Sequence, residues 1–294
     1  MRIASLNDRL VLLHNDLAVE NDLAVDVETA SAGLFTHHIA EVYDRWDEFR
    51  AWTTSFDPAA AAGQAGDLGA EFDPSELGSP STAPRQLIAF GLNYRDHAAE
   101  AGIAAPEGLP PVFTKFISSM TGPNTTVTLP EGNVDWEVEL AIIIGRTAHH
   151  ISEAEAWDHI AGFTVAQDLS ERILQMSGPA PQFSLGKSHP GFLPLGPALV
   201  TIDELDDPNT LGLTTDLNGE LVQNGNTRDL IMPVTTLLVQ LSEVITLYPG
   251  DVIITGTPAG VGMGRKPPRY LANGDVLTST IEGIGTIRQT FRGR

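Results

Sequence analysis

Short apolar runs, interrupted by turns and polar residues, characterise the first part of the chain. Those in MRIASLNDRLVLL and DLAVDVETA predict short strands, whereas FTHHIAEVYDRWDEFRAWTTSF carries its apolar residues at helical spacing. From Asp57 to about Pro84 the chain is rich in Ala, Gly, Pro, Ser and Asp, a composition typical of an exposed connector. We therefore predict a small N-terminal α/β module with its connector over residues 1–82 and a larger domain over residues 83–294.

The larger domain contains many short apolar segments and few helical ones. Strands rich in Val, Ile and Thr are predicted in RQLIAF, TVTLP, EVELAIIIG, HIAGFTVAQDL, GPALVTI, LGLTTDLNGELVQ, DVIITGT and DVLTSTIEGIGTIRQTF. Helices are predicted in NYRDHAAEAG, SEAEAWDHI, SERILQMS and MPVTTLLVQLSEVITL. Many strands with few intervening helices argue against a doubly wound parallel sheet and predict a mixed, β-rich α+β fold.

The composition limits the chemistry that the chain can perform. The 294 residues include no cysteine, which excludes thiolate metal sites and cysteine nucleophiles, so any metal must be bound by oxygen or imidazole ligands. With 38 acidic and 17 basic residues the formal net charge is −21, which repels phosphate backbones and anionic membrane surfaces. Only three basic residues are lysines, namely Lys115, Lys187 and Lys266, so each of them is a candidate for a specific role. The alternative explanation of their small number is chance combined with a preference for arginine.

No part of the sequence resembles a membrane or export signal. No apolar run approaches the roughly 20 residues that cross a bilayer. The first residues are polar where a signal peptide needs an unbroken apolar core. We therefore expect a cytoplasmic protein with neither a membrane nor a nucleic acid as partner.

Two glutamates in DWEVELAIIIG are the strongest local sign of chemistry. Residues two apart on a strand project to the same face, so Glu137 and Glu139 would present two carboxylates side by side. An exposed strand face is the alternative, but the apolar run that follows suggests a central strand, where bare carboxylates are costly. Asp168 ends another apolar strand and would complete an all-oxygen site suited to Mg²⁺ or Mn²⁺. Its alternative role is the N-cap of the helix predicted in SERILQMS.

Three other places carry weaker signals. His97 and Glu100 lie on one face of a predicted helix, as in a water-activating pair on a mobile lid, although a surface ion pair has the same spacing. Lys187 lies in the loop-like FSLGKSHPG, where it could meet an anion or simply be solvated. In IITGTPAGVG a strand runs into a glycine-rich turn at Thr257, whose N–H groups could bind a carboxylate or phosphate.

The order of these motifs resembles that of the fumarylacetoacetate hydrolase family. The resemblance rests on GLNYRDHAAEAG, GPN with DWEVELAIIIG, FTVAQDLSER, LGKS, LPLGP, LNGELVQ, LYPGDVIITGTPAGVG and NGDVLTSTIEGIGTI, and it extends from about Gln86 to Phe291. It implies a catalytic domain with a mixed β-roll, a homodimer, and a divalent cation, commonly Mg²⁺ or Mn²⁺. Residues 1–82 resemble only the less defined N-terminal part of the family.

The resemblance also implies roles for individual residues. It implies that Glu137, Glu139 and Asp168 bind the metal and that His97 and Glu100 form the catalytic dyad of a lid. Lys187 matches the active-site lysine, and Thr257 matches the threonine that binds the substrate carboxylate. Arg172 and Gln175 match positions that line the pocket. The residues after Lys187 depart from the Ser-Phe-Asp-Thr-Phe pattern of many members, because this chain has Ser188, His189, Pro190, Gly191 and Phe192. The resemblance therefore does not extend to the substrate fine specificity or to any second contact with the cation at this place.

The implied reaction is the hydrolysis of a C–C bond in a small 2,4-dioxo acid of acylpyruvate type, through an enolate. The same site could instead isomerise a 2-hydroxy-diene-dioate from aromatic catabolism, or decarboxylate an acid such as oxaloacetate. A non-catalytic ligand-binding protein is the alternative from a different class. The expected partner is in each case a small 2-oxo or 2,4-dioxo acid.

Overall fold

The structure is a computed structural model that describes residues 1–15, 22–56 and 70–293. Its strands are β1 Arg2–Leu6, β2 Arg9–Asn15, β3 Asp22–Asp26, β4 Ala70–Glu71, β5 Leu77–Gly78, β6 Leu87–Phe90, β7 Val112–Thr114, β8 Met120–Thr121, β9 Asn124–Thr128, β10 Val134–Asp135, β11 Val138–Ile144, β12 Ile160–Gln167, β13 Ser170–Glu171, β14 Leu193–Val200, β15 Gly212–Leu217, β16 Glu220–Asn226, β17 Val252–Ile254, β18 Val276–Ile281 and β19 Gly285–Arg292. The α-helices are α1 Val27–Ala30, α2 Ile39–Asp44, α3 Trp46–Ser55, α4 Arg95–Glu100, α5 Arg172–Gln175, α6 Phe183–Gly186 and α7 Val234–Ser242. None of the helices in these ranges combines the length and apolarity needed to cross a bilayer.

A large mixed sheet organises the molecule, with β11 and β12 near its centre. Its strand order is β4-β3-β2-β1-β14-β12-β11-β17-β6-β7, and β11 pairs antiparallel with both β12 and β17. Every residue of β11 and β12 is buried, because both faces of these strands are covered. Val138 and Leu140 share one hydrophobic cluster with α7, whereas Ala141 and Ile143 share another with α2 and α3.

A second sheet of five strands packs against the α7 side of the first. Its order is β16-β15-β18-β19-β9, and Leu213, Ile281 and Ile287 from its strands belong to the same cluster as Val138 and Leu140. Together the two sheets carry most of the buried apolar side chains, and the helices are short and few among the described residues. The predicted β-rich α+β fold is therefore confirmed.

The N-terminal strands continue the large sheet. β1 pairs with β14 through Arg2↔Val200 and Ile3↔Leu199, so residues on the two sides of the predicted boundary share one sheet. The division at residues 82 and 83 stays a prediction. The prediction of an exposed connector is wrong for the last part of the segment from Asp57 to Pro84. There β5 pairs with β1, and both Ser79 and Ser81 are buried. Residues 57–69 of the predicted connector lie outside the described residues.

Two predicted helices are shorter than expected. SEAEAWDHI forms only the 3-10 turn Ala156–His159, and SERILQMS forms the four-residue α5. The predicted amphipathic segment near the N-terminus divides into α2 and α3 around Arg45, and MPVTTLLVQLSEVITL contains α7. These differences do not affect β11 and β12, at whose ends the predicted acidic residues lie.

Candidate active site

The three carboxylates that the sequence singled out converge. Glu137, Glu139 and Asp168 each offer an oxygen, and these atoms lie within 4.8 Å of one another. The antiparallel pairing of β11 and β12 brings them together, because it aligns Val138 with Gln167, and the Asp168 N–H donates to the Glu137 carbonyl at 2.9 Å. Glu137 lies one residue before β11 and Asp168 one residue after β12.

The surroundings of these carboxylates exclude the two alternatives, namely a solvated strand face and an N-cap role for Asp168. Glu137 is 5% exposed, Glu139 1% and Asp168 0%, so the strand face is not a solvated surface. The N-cap of α5 is Glu171 and not Asp168, since the Glu171 side chain accepts hydrogen bonds from the N–H groups of Ile173 and Leu174. The Asp168 side chain is thereby left for other contacts. The role of the three residues as metal ligands stays a prediction.

Two buried lysines compensate the charge of Asp168. Lys187 Nζ lies 2.6 Å from both Glu137 Oε2 and Asp168 Oδ2, which places its ammonium between two of the three carboxylates. Lys115 Nζ lies 2.5 Å from Asp168 Oδ1 and donates to the Phe192 carbonyl at 3.0 Å. Lys187 is therefore not a solvated loop residue. Two of the three lysines in the chain contact one aspartate.

An arginine bound to two acidic side chains supports the opposite side of Glu137. Arg172 Nη1 contacts Glu137 Oε1 at 2.7 Å and donates to Gln175 Oε1 at 3.0 Å. Its Nε donates to Asp135 Oδ2 at 2.9 Å. Arg172 and Gln175 are both buried, as a place beside the site requires, but their predicted contact with substrate stays a prediction.

The charges of this cluster do not balance. Four buried carboxylates, those of Asp135, Glu137, Glu139 and Asp168, face the three cations of Lys115, Lys187 and Arg172. Among the described residues, Glu139 has no cationic side chain within ion-pair distance, and its Oε2 accepts from the Gly256 N–H at 2.6 Å. A divalent cation would compensate this charge, and an all-oxygen donor set suits Mg²⁺ or Mn²⁺. The residues present therefore fit the expected cation.

The pKa values follow the same distribution of charge. Burial opposes ionisation of Glu137, but Lys187 and Arg172 outweigh it and hold the pKa of Glu137 below its ordinary value. Burial, Asp168 and Glu137 together raise the pKa of Glu139 well above its ordinary value. The pKa of Lys187 is raised despite its burial, because Asp168 and Glu137 favour the ammonium. Glu139 is thus the member of the triad whose charge the protein compensates least.

The predicted dyad lies on α4. His97 Nδ1 and Glu100 Oε2 are 3.5 Å apart, a contact longer than a hydrogen bond. His97 is 9% exposed and Glu100 is half-buried, so a freely solvated surface pair is wrong. The Gly260 N–H donates to both Glu100 oxygens at 3.1 and 3.2 Å. Gly260 has a φ of +107°, and a Cβ there would lie 2.0 Å from the Val222 carbonyl oxygen, so only glycine fits.

The glycine-rich turn after β17 binds the carboxylates of the chain itself. Its N–H groups donate to Glu139 from Gly256, to Glu100 from Gly260, and to Asp135 from Gly262 at 2.6 Å. The sequence indicated an anion-binding turn, and the structure supplies three protein anions in this role.

Thr257 in this turn is fully engaged as a donor. Its hydroxyl donates to the Val138 carbonyl at 2.8 Å and accepts from Gln223 Nε2 at 2.9 Å. The Gln223 Oε1 in turn accepts from the Val138 N–H at 3.1 Å. Thr257 thus positions the start of β11, and its predicted contact with a substrate carboxylate stays a prediction.

Two residues of the site received no role from the sequence. Lys115 had only its rarity as a signal. Asp135 lies two residues before Glu137, and the same alternation that paired Glu137 with Glu139 could have indicated it. Both contacts join residues distant in sequence, since Lys115 is 53 residues from Asp168 and Asp135 is 37 residues from Arg172.

Known proteins are similar to the chain in sequence. Residues 86–292 match the family described as fumarylacetoacetate (FAA) hydrolase, C-terminal. Human mitochondrial oxaloacetate tautomerase FAHD2A is 46% identical over 211 residues, which are 71% of this chain and 67% of that protein. A 2,4-didehydro-3-deoxy-L-rhamnonate hydrolase from a Sphingomonas strain is 46% identical over 215 residues, 72% of this chain and 75% of that protein.

Solved structures show the same fold. A candidate HpcE protein from Mycobacterium smegmatis has a TM-score of 0.89 and 49% identity, and the match covers 100% of this chain and 99% of that one. Maleylpyruvate hydrolase from Sphingobium sp. SYK-6, solved with manganese(II) and pyruvate, has a TM-score of 0.77 and 26% identity, with 100% and 99% covered. Since the match to the family spans more than two thirds of the sequence and the fold agrees throughout, the chain belongs to the fumarylacetoacetate hydrolase family of enzymes.

Proposed function

We propose that the chain is a divalent-metal-dependent hydrolase that cleaves a C–C bond of a small 2,4-dioxo acid of acylpyruvate type. The observation that carries this proposal is the convergence of Glu137, Glu139 and Asp168 beside Lys187. These four groups are buried, and the glycine-rich turn that contacts Glu139 through Gly256 also contacts Glu100 of the His–Glu pair through Gly260. Such a combination of a cation site, a fixed ammonium and a general base supports chemistry on a carbonyl acid.

The proposed cation is Mg²⁺ or Mn²⁺, bound by Glu137, Glu139 and Asp168. Manganese(II) is present in the solved maleylpyruvate hydrolase, which supports this choice. When bound, the cation supplies Lewis acidity that polarises the carboxylate and 2-oxo oxygens of the substrate and favours negative charge on them. All remaining steps are assigned to side chains of the chain itself.

His97 is the proposed general base. Glu100 lies on the Nδ1 side of its ring, so Nε2 is left to accept a proton from water as the water oxygen attacks the 4-carbonyl carbon. The bond between C3 and C4 then breaks, its electron pair forms the enolate of a 2-oxo acid, and His97 returns the proton to C3. The 3.5 Å separation within the dyad is expected to shorten when substrate is bound, as catalytic hydrogen bonds often do.

Lys187 is the proposed electrostatic stabiliser of the enolate. Its Nζ lies 2.6 Å from both Glu137 Oε2 and Asp168 Oδ2, so its ammonium offers positive charge beside the carboxylates. Thr257, Arg172 and Gln175 are proposed to line the substrate site. Arg172 and Thr257 also position Glu137 and β11, so these two residues would act on both the protein and the substrate.

A keto–enol tautomerase is the second candidate. The human relative is named an oxaloacetate tautomerase, and it is as similar to this chain as the rhamnonate hydrolase is. The name of that hydrolase describes an acid that is oxidised at carbons 2 and 4, like the 2,4-dioxo acid proposed here. This similarity favours hydrolysis over tautomerisation as the first candidate. Isomerisation of a 2-hydroxy-diene-dioate is supported by a solved protein from Mycobacterium abscessus that is named for this activity, with 30% identity and a TM-score of 0.78.

The homodimer and the cytoplasmic location also stay proposals. The family resemblance supports the homodimer. The human relative is named mitochondrial, so it offers no support for a cytoplasmic location.

The test is a substrate screen with purified protein and Mg²⁺ or Mn²⁺. Acylpyruvates, oxaloacetate and 2-hydroxy-diene-dioates are followed by ultraviolet absorbance and by NMR of the products, with a Glu139→Gln variant as the control that lacks a ligand. We expect pyruvate and a carboxylic acid from an acylpyruvate. Faster keto–enol exchange of oxaloacetate without acylpyruvate cleavage would favour the tautomerase, and turnover of no acid by metal-loaded protein would contradict an enzymatic role.

A further inference from the structure

Asp135 is a buried aspartate that lies outside the predicted metal ligands. Its side chain is 0% exposed and makes contacts in two directions. Oδ1 accepts from the N–H groups of Trp136 at 2.8 Å and Gly262 at 2.6 Å. Oδ2 accepts from the Met263 N–H at 3.0 Å and from Arg172 Nε at 2.9 Å. The carboxylate therefore serves four donors at once, which an uncharged side chain of its size cannot do.

The first direction leads to the predicted metal ligands. Asp135 Oδ2 accepts a hydrogen bond from Arg172 Nε at 2.9 Å and lies 2.8 Å from Nη2 as an ion pair, which holds the guanidinium beside Asp135. The third nitrogen of the guanidinium, Nη1, then contacts Glu137 Oε1 at 2.7 Å. The orientation of Glu137 thus depends on an arginine that Asp135 holds in place.

The second direction leads to the dyad. Asp135 binds the turn at Gly262 and Met263, and Trp136 Nε1 donates to the Gly260 carbonyl at 3.1 Å. The N–H of the same Gly260 donates to both oxygens of Glu100. The turn is tightly enclosed, since a Cβ on Gly262 would lie 1.9 Å from the Arg269 carbonyl oxygen.

We propose that Asp135 is a positioning residue that holds the metal-facing Glu137 and the dyad carboxylate Glu100 in one arrangement. The proposal rests on the proposed function for the roles of these two glutamates. Asp135 touches neither of them directly and acts through Arg172 on one side and through the turn at 260–263 on the other. Residues that orient metal ligands from behind are in general nearly as important as the ligands themselves.

The test compares two isosteric changes of buried aspartates. Asp135→Asn keeps the shape but replaces an acceptor oxygen with a donor group that faces N–H groups. The matched control is Asp251→Asn, because Asp251 is also 0% exposed and accepts from Gln86 N, Gln86 Nε2 and Tyr248 N, without any contact to the site residues. Three quantities are measured on each protein: Mn²⁺ affinity by electron paramagnetic resonance, amide hydrogen exchange of the peptide over residues 258–264, and turnover of the substrate found in the screen.

We expect D135N to weaken Mn²⁺ binding and to lower kcat by about 10–100-fold each, with faster exchange in residues 258–264. D251N should remain close to the wild-type protein in all three. Wild-type Mn²⁺ affinity together with wild-type exchange in D135N would overturn the proposal. An equal loss in D251N would do so too, because it would show a general cost of changing a buried carboxylate.

Two further measurements keep the outcome unambiguous. If D135N does not fold, Asp135→Glu keeps the charge and displaces the acceptor oxygens by one methylene, and wild-type affinity and exchange in that variant would overturn the proposal as well. If the wild-type protein binds Mn²⁺ but turns over no acid, the proposed function fails, yet affinity and exchange still decide the part that Asp135 plays. If Mn²⁺ does not bind, exchange still tests the arm through the turn at 260–263, and wild-type exchange in D135N would overturn the proposal.

Discussion

Lys115 donates from Nζ to the Oδ1 atom of Asp168, and both side chains are almost fully buried. Burial and the neighbouring Lys187 lower the pKa of Lys115, and Asp168 opposes that effect. The two side chains form a buried ion pair. If one partner is removed, the other charge is left buried without compensation, and desolvation makes that unfavourable. Lys115 is therefore part of the charge balance of the site and not an incidental lysine.

Replacing Lys115 by Met should destabilise the protein strongly. Removing one partner of a buried ion pair typically costs about 3–5 kcal/mol, because it leaves an uncompensated charge. Lys187 still contacts Asp168, so we expect the lower end of that range in denaturant unfolding with EDTA, and a smaller loss when Mn²⁺ is present. Lys266→Met is the control, since Lys266 is exposed, and it should change stability little. Equal effects of the two changes would contradict the assignment.

Glu137 and Glu139 should respond in opposite directions to the same substitution. Glu139→Gln removes repulsion from Asp168 and Glu137 and keeps an oxygen for the Gly256 N–H, so we expect the metal-free protein to gain stability. Glu137→Gln removes a charge that Lys187 and Arg172 both contact, so we expect a loss of about 3 kcal/mol or more. Unfolding in EDTA measures both.

Adding Mn²⁺ completes this comparison. The wild-type protein should gain stability with Mn²⁺ concentration, because a ligand that binds only the folded state stabilises it. Both variants should lose most of that gain, since each lacks one ligand. A full Mn²⁺ response in E139Q would remove Glu139 from the metal site.

Local patterns in the sequence were sufficient to predict the acidic triad. The alternation of a strand placed Glu137 beside Glu139, and the end of an apolar strand indicated Asp168. The sequence also predicted the helix of His97 and the anion-binding turn, although the anions in that turn turned out to belong to the chain. What these predictions share is that each rests on a few adjacent residues.

Contacts that depend on tertiary structure were not predictable in this way. Lys115 reaches Asp168 only because Phe192 and the strands around it bring distant segments together, and nothing near Lys115 in the sequence indicates a partner. The four donors to Asp135 come from three separate segments. The pairing of β1 with β14 joins the chain start to residue 200 for the same reason. Local patterns cannot encode such separations.

His97→Ala should abolish turnover without affecting the metal. Loss of a general base typically lowers the rate by about 10²–10⁴-fold. His97 is not among the carboxylates that are proposed to bind the cation, so Mn²⁺ affinity should stay at the wild-type value. Steady-state kinetics and a Mn²⁺ titration measure the two effects, and His149→Ala, a change of an exposed histidine, is the control. Undiminished turnover in H97A would remove the proposed base.

Thr257→Val should reveal two effects of one hydroxyl. Without it, the Val138 carbonyl and the Gln223 amide lose a buried partner, which should lower the free energy of unfolding by about 1–3 kcal/mol. If the hydroxyl also binds the substrate carboxylate as proposed, KM should rise in the folded variant at unchanged Mn²⁺ affinity. Thr257→Ser keeps the hydroxyl and should restore both properties. The hydroxyl already donates to the Val138 carbonyl, so a substrate carboxylate must compete with that carbonyl for the hydroxyl proton. An unchanged KM in T257V would mean that the hydroxyl donates only to Val138. Thr257 would then act on β11 and not on the substrate.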